Sequence, residues 1–401
     1  MEKLEQLINN QIKDWSLDQK FYKDKDIYNL EIEKIYMNSW LLAGHESQIP
    51  NPGDYFLFNL LTESVIIIRG KDGLIRAFMN VCRHRGSHVC LESKGNVKRL
   101  MCPYHAWTYN LEGDLVAAKN LSTDIDKKNL SLHNCSIELI EGLIMINFSD
   151  HPKSIEMMKQ ELTAPMQMFG MKDLKIAAHR NYSIDANWKL AVENYNECYH
   201  CAPAHPEYAK SHSLKYDESS KEYELAQKPM KDTLIKCGMK DYDIAADYDA
   251  QIESQEQYAY HRYALFGGYI TGSEDGQPLA PLIGDITDYN PGASDFNLGP
   301  VSFLLAYSDH VVAYVFSPVT HHTSQCDVYW MIDKDAKEGG DYDLERLIWL
   351  WDVTTKADER IIVNNQKGVN SRKYSSGPFS EKESTEKRFI SWYLNQLRET
   401  L

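Results

Sequence analysis

No stretch of this chain is apolar over the roughly 18 residues that a membrane span requires. Basic residues are in the minority: 43 Lys and Arg stand against 58 Asp and Glu, a formal net charge of −15. Binding to nucleic acid or docking on an anionic membrane needs basic surface, so both classes are disfavoured. Cysteine is too scarce for a disulfide scaffold, with 8 in 401 residues. The opening segment, MEKLEQLINNQIKDW, is polar and amphipathic and has no signal-peptide core, which points to the cytoplasm. In that reducing compartment, Cys grouped with His signals metal binding or catalysis rather than a disulfide. No G-x-G-x-x-G follows a strand-like run, so no nucleotide or flavin is expected on this chain.

What is present is ordinary globular composition, 43% hydrophobic and 25% charged, at a length that suggests two or three domains of roughly 150 residues. Residues 1–37 are polar and mainly helical in pattern. Between 38 and 150, short β-rich runs (Tyr55–Leu60, Val65–Arg69, Leu74–Cys82, Leu143–Phe148) alternate with Gly, Asn and Asp turns, the pattern of a small all-β domain. Residues 151–401 form the second domain. Helical spacing covers 151–175 and Asn187–Tyr199, and 207–255 is polar and variable. Strand signals return at Val301–Tyr307, His310–Pro318 and Cys326–Ile332, before two closing helices near Asp343–Gly368 and Glu383–Leu397. The fold class is α+β, with the second domain an antiparallel sheet carrying helices.

The strongest motif is Cys82-Arg-His84 followed by Cys102-Pro-Tyr-His105, each half on a loop after a strand-like run. Two thiolates and two imidazoles suit zinc or an iron–sulfur cluster. A zinc finger usually pairs Cys with Cys and His with His, whereas here each loop supplies one of each. That order suits a two-iron cluster with one iron on both Cys and the other on both His. His88 reads as surface. Cys90, Cys135, Cys237 and Cys326 read as small packed hydrophobes, and so do Cys198 and Cys201, a C-x-x-C set aside because it flanks His200 inside another motif.

That motif is Glu197-Cys-Tyr-His200-Cys-Ala-Pro-Ala-His205-Pro. Glu197 and His200 share a helix face at i,i+3, and Pro203 can stop the helix so that the chain turns and brings His205 back. Two imidazoles and a carboxylate make the facial triad of non-haem iron oxygenases. The carboxylate is sought in the later helix, where Asp358 shares a stripe with Ile361, Ile362 and Asn365; an acid on such a stripe is costly unless it is paired or binds metal. Asp352 and Glu359 compete, and Glu359 points off the stripe.

Together the two motifs, with CRHRG and CPYHAWTY around the first, resemble the catalytic α subunit of Rieske non-haem iron oxygenases, from about residue 38 to the C-terminus. The Tyr374–Phe379 loop and the Phe389–Leu397 helix take part in the likeness. The resemblance implies a [2Fe–2S] cluster on Cys82, His84, Cys102 and His105, and a mononuclear Fe(II) on His200, His205 and Asp358 in a helix-grip-like domain. It implies dioxygen as co-substrate and NAD(P)H as ultimate donor through a separate flavin/ferredoxin reductase. It further implies a head-to-tail homotrimer in which Glu197 bridges His105 of one chain and His200 of the next. Most of the family has Asp at that bridge. The block ENYNECYHC with Glu resembles the quaternary-ammonium branch, whose members act on carnitine, glycine betaine, choline or stachydrine. The activity expected is thus monooxygenation of a quaternary-ammonium compound, by N-demethylation or C–H hydroxylation. An aromatic acid is the alternative substrate, and a non-enzymatic electron carrier the third reading. Aromatic faces would hold a quaternary nitrogen, with Tyr260, Phe266, Tyr269, Tyr307 and Phe316 as candidates.

Overall fold

The computed structural model describes residues 2–212, 220–242 and 257–399. The chain forms two compact units: Leu42–Pro152, and Met1–Leu41 together with Lys153–Leu401. Of the polar stretch 207–255, positions 213–219 and 243–255 lie outside the described residues.

The smaller unit is all β, apart from short helical turns. Strands β1 (Leu41–His45), β9 (Ser136–Ile140) and β10 (Leu143–Asn147) make one sheet in the order β1-β10-β9. A second runs β4-β3-β2-β5 from β2 (Asp54–Leu60), β3 (Glu63–Arg69), β4 (Ile75–Met79) and β5 (Lys94–Asn96). Strands β6 (Leu100–Met101), β7 (Thr108–Tyr109) and β8 (Leu115–Ala117) form a third, small ribbon. Val65–Ile68 is a run of four β-branched residues, all fully buried, which suits a central strand covered on both faces. Cys82 and Cys102 belong to the hydrophobic core, packed with Ile66, Phe78, Trp107 and Tyr109.

The larger unit is built on one antiparallel six-stranded sheet, β11-β16-β15-β14-β13-β12. Its strands are β11 (Leu174–Ile184), β12 (Tyr258–Ala264), β13 (Gly292–Leu298), β14 (Ser302–Ala306), β15 (Val311–Thr320) and β16 (Thr323–Asp333). The last three match the strand signals of the sequence. Strands β12 and β13 were not foreseen: GASDFNL carries Gly, Ser, Asp and Asn, residues depleted in strands, and only pairing with β12 and β14 holds it extended. The 26-residue helix Leu344–Val369 packs on β11 and on the helix Trp188–Asn196. The N-terminal helices Glu2–Asn9, Gln19–Lys23 and Lys25–Glu31 are part of this larger unit rather than a segment by themselves. The reason is a buried ion pair: Glu31 accepts from Lys189 Nζ at 2.7 Å and from Trp188 Nε1 at 2.9 Å, with Tyr393 as a further donor. Both charged side chains are fully buried, so removing either would strand the other.

Candidate metal centres and substrate cavity

In the smaller unit the two ligand loops are built alike. The Cys82 amide donates to the Ser87 carbonyl at 2.8 Å, and the Gly86 amide donates back to the Cys82 carbonyl at 2.9 Å. The Cys102 amide donates to Trp107 at 2.8 Å, and Ala106 donates back to Cys102 at 3.0 Å. Gly86 and Ala106, each four residues past the cysteine, both take positive φ, +77° and +57°. Glycine adopts this freely; alanine does so at a cost that the surrounding loop must outweigh. The thiols point into the core, 3% and 2% exposed, while His84 and His105 are exposed. The two imidazole rings lie edge to face with centroids 4.6 Å apart, and His84 stacks on Trp107 at 4.7 Å. Tyr109 Oη lies 3.3 Å from Cys82 Sγ. Burial pushes the Cys82 thiol up, so ionisation there calls for a cation such as iron. Inner thiols and outer imidazoles fit a two-iron cluster. His88 is exposed, in keeping with its surface reading.

In the larger unit the helix Trp188–Asn196 ends one residue before Glu197, whose backbone is extended (φ −129°, ψ 158°). Glu197 and His200 therefore do not share a helix face, as their spacing suggested. The Glu197 carboxylate instead folds back over the turn, accepting from the Tyr199 and His200 amides and from His200 Nδ1. A carboxylate only accepts, so Nδ1 carries the proton and Nε2 is turned toward Asp358 Oδ1, 3.2 Å away. His205 Nε2 lies 3.5 Å from the same oxygen. The return of His205 also has a different cause from the one expected. Pro203 sits inside the short helix Cys201–Ala204, where a first-turn proline is tolerated. Pro206 begins the next helix, Pro206–His212, and a residue before proline is driven out of the helical region; His205 has φ −140° and ψ 86°.

The donor set fits a metal ion. His205 is 2% exposed, and neither ring nitrogen has a hydrogen-bond partner, an expensive arrangement for a buried imidazole unless an ion fills it. Burial by itself pushes His205 down. Burial acts the same way on His200, but hydrogen bonds to Asp358 and Glu197 outweigh it, leaving His200 raised to about 9. Two carboxylates bracketing one ring favour a positive charge at Nε2, and a metal cation can supply it. Asp352, the rival ligand, is engaged elsewhere: Arg180 donates to it at 2.6 Å, Tyr182 at 2.7 Å and Lys356 at 2.7 Å.

Two expectations need correction. Cys198 and Cys201 are not separate packed thiols but a disulfide, with Cα atoms 5.0 Å apart. The turn that carries Glu197 to His200 brings these i,i+3 side chains together. Cys201 Sγ lies close to His200 and His205, yet as a disulfide sulfur it offers no thiolate. The aromatic candidates were also misplaced. A cavity of about 240 Å³ beside the triad is lined by Tyr195, Tyr208, Tyr223, Tyr263, Tyr314 and Trp351, and by none of the five aromatics proposed from the sequence. Phe266 and Tyr269 lie in a loop after β12, and Tyr260 points to the other face of that strand from Tyr263. Tyr263 alternates with His261 on β12, and that period-two signal on the unforeseen strand was the one that could have revealed it.

Comparison with known proteins agrees with this geometry. Residues 39–131 match the Rieske [2Fe–2S] domain, and residues 171–399 match the ring hydroxylating alpha subunit catalytic domain. The chain is 33% identical over 390 residues to the glycine betaine monooxygenase oxygenase subunit of Pseudomonas aeruginosa, covering 96% of this chain and 90% of that one. It is 39% identical over 202 residues to the carnitine monooxygenase oxygenase subunit of Acinetobacter pittii, covering 49% of this chain and 54% of the relative. Among solved structures, it resembles a quaternary ammonium Rieske monooxygenase in complex with L-carnitine, with a TM-score of 0.70, 25% identity, and coverage of 98% and 97%. This chain therefore belongs to the Rieske non-haem iron oxygenases, oxidoreductases that carry a Rieske [2Fe–2S] cluster in one domain and a mononuclear iron in the other.

Proposed function

We propose that this chain is the oxygenase component of a monooxygenase acting on a small quaternary-ammonium compound. The observation that carries the reading is the cavity beside the triad, walled by five tyrosines and a tryptophan. A quaternary nitrogen has no proton to donate, so a site can hold it only through aromatic faces and charge. Likeness along nearly the whole chain to a glycine betaine monooxygenase oxygenase subunit supports the same substrate class.

In this reading Cys82, Cys102, His84 and His105 hold the cluster, and His200, His205 and Asp358 hold the iron. When bound, the cluster supplies single electrons and the iron activates dioxygen, so that one oxygen atom enters a substrate C–H bond and the other leaves as water. Glu197 fixes the His200 ring by accepting its Nδ1 proton, which aims Nε2 at the metal position. Tyr208 stacks on His205 with centroids 5.3 Å apart and walls the site from that side. The cavity rings exclude water and hold the substrate's methyl groups beside the triad. Oxidation of an N-methyl group gives a hemiaminal, which collapses to formaldehyde and the demethylated amine.

The assembly that completes the site is a head-to-tail homotrimer, in which exposed His105 serves the neighbouring subunit and Glu197 bridges the partner subunit's His105 to His200. Electrons come from NAD(P)H through a separate flavin/ferredoxin reductase in the cytoplasm. No described helix is long and apolar enough to cross a membrane. The test is a panel of glycine betaine, carnitine, choline, stachydrine and aromatic acids with a surrogate reductase, following oxygen uptake and formaldehyde. Formaldehyde stoichiometric with oxygen is expected for one or more quaternary compounds. Uptake only with an aromatic acid, without formaldehyde, would overturn the reading.

A further inference from the structure

Asp295 stands in the middle of β13, and the sheet register sets it opposite His261 on β12 and Leu305 on β14. All three line the cavity. The other two carboxylates of the lining have partners in the metal site: Glu197 holds His200, and Asp358 faces both histidines. Among the described residues Asp295 has a single hydrogen bond, from the Tyr263 hydroxyl at 3.4 Å. Among the described residues no ammonium or guanidinium pairs with it. Lys382, the one Lys or Arg among the lining residues, is exposed in the loop before the last helix. Burial pushes the Asp295 carboxyl up to about 7. Its charge also acts on Tyr195, Tyr208 and Tyr263, three of the rings that wall the cavity.

A carboxylate beside aromatic faces, with no ammonium or guanidinium partner among the described residues, is costly in an empty cavity and useful in one that receives a cation. It would repel the π-face of a neutral aromatic ring and disfavour an anionic group placed near it. An N–H donor could bond to it directly, but the tyrosine and tryptophan rings of the cavity suit a methylated nitrogen better. We propose that Asp295 is the charge partner of the substrate's quaternary nitrogen and selects a permanent cation over a neutral group of the same shape. This rests on the functional reading above and adds to it a specificity-determining residue outside the metal ligands.

The test compares each cation with its carbon isostere, in which the nitrogen becomes a quaternary carbon and the shape is kept. The pairs are glycine betaine with tert-butylacetate and choline with dimethylbutanol. Calorimetric titration of the iron-loaded enzyme without reductant reads binding alone. Wild type should bind the cation of at least one pair about tenfold more tightly than its isostere, or better. Asp295→Asn keeps the side-chain shape. It should weaken the cation about tenfold or more while leaving the isostere within about twofold, erasing the discrimination. Equal wild-type affinities within every pair would overturn the role of Asp295 without any variant, so a failure of Asp295→Asn to fold does not shelter the proposal. Retained discrimination in Asp295→Asn, or equal loss of both ligands, would overturn it as well. If no quaternary compound binds wild type, the functional reading falls and this role with it; binding without discrimination sinks only the role.

Discussion

The two metal-binding regions gather their side chains by opposite routes. In the smaller unit each loop is a tight turn closed by its own amides, delivering one thiol inward and one imidazole outward, and the two turns repeat one geometry. In the larger unit two histidines come from a broken helix, and the carboxylate arrives on another helix, over 150 residues away in the chain. The cluster loops depend on local turn chemistry and on packing their thiols into a core. The triad depends on tertiary docking of the Leu344–Val369 helix. Damage at the first should therefore reach the core, whereas damage at the second should stay at the ligand.

The largest effects test that contrast. Cys82→Ser or Cys102→Ser should abolish the visible spectrum of the cluster and also lower thermal stability, because each thiol is buried in the core as well as being a proposed ligand. His205→Ala or Asp358→Ala should remove about one iron in three, on a content of about three irons and two sulfides per chain. The cluster spectrum should survive and substrate-dependent oxygen uptake should be lost. A wild-type protein that is colourless and zinc-loaded would defeat the first assignment. Full iron and full activity in Asp358→Ala would defeat the second.

The next step down is Glu197→Gln. The amide keeps one acceptor for His200 but loses the charge, so both metals should fill while turnover falls about 10–100-fold. Single-turnover oxidation of the cluster, with substrate and oxygen present, reads this directly. A wild-type rate would remove Glu197 from the path between the centres, and loss of iron would make it a ligand.

What could be read in advance follows the same division. The candidate cluster residues stood out because C-x-H and C-x-x-H are local patterns, each closed within a turn of its own. His200 and His205 were legible from spacing, but the turn that joins them was misassigned to Pro203. Two prolines lie within four residues, and only the backbone shows that Pro206 expels His205 from the helix. The stripe bearing Asp358 was visible; that Ile361, Ile362 and Asn365 line a cavity rather than a closed core was not. Tyr263 was missed with β12, but the rest of the aromatic wall comes from helices and from β15, and only tertiary packing brings those rings to one cavity. Asp295 lies on β13, the other unforeseen strand, so nothing in its local sequence marked it.

A smaller effect separates Asp352 from Asp358 on the Leu344–Val369 helix. Asp352→Asn should leave iron content and turnover near wild type, since its oxygens are committed to Arg180, Tyr182 and Lys356. The cost should be stability alone, about 1–2 kcal/mol from a weakened charged network. Iron loss in Asp352→Asn would reassign the third ligand.

The smallest effect lies at Glu386, in the first turn of the last helix and on the wall of the cavity that also meets Glu197 and His200. It is 2% exposed, and Oε2 has no hydrogen-bond partner among the described residues. Burial first, and the charge of Glu197 second, push its carboxyl from 4.5 up to about 9. Between those two values the folded chain keeps a proton that the unfolded chain has released. Stability from this group therefore falls as pH rises through that window and levels off above it. Glu386→Gln has no proton to lose, so its melting temperature should gain on wild type as pH is raised from about 6 to about 9. The advantage should reach on the order of 1–2 kcal/mol at the alkaline end. Thermal unfolding of both proteins across that range makes the measurement. Parallel pH profiles would show that Glu386 is ionised in the folded chain, and that the acids around Glu197 do not share their charge as this geometry requires.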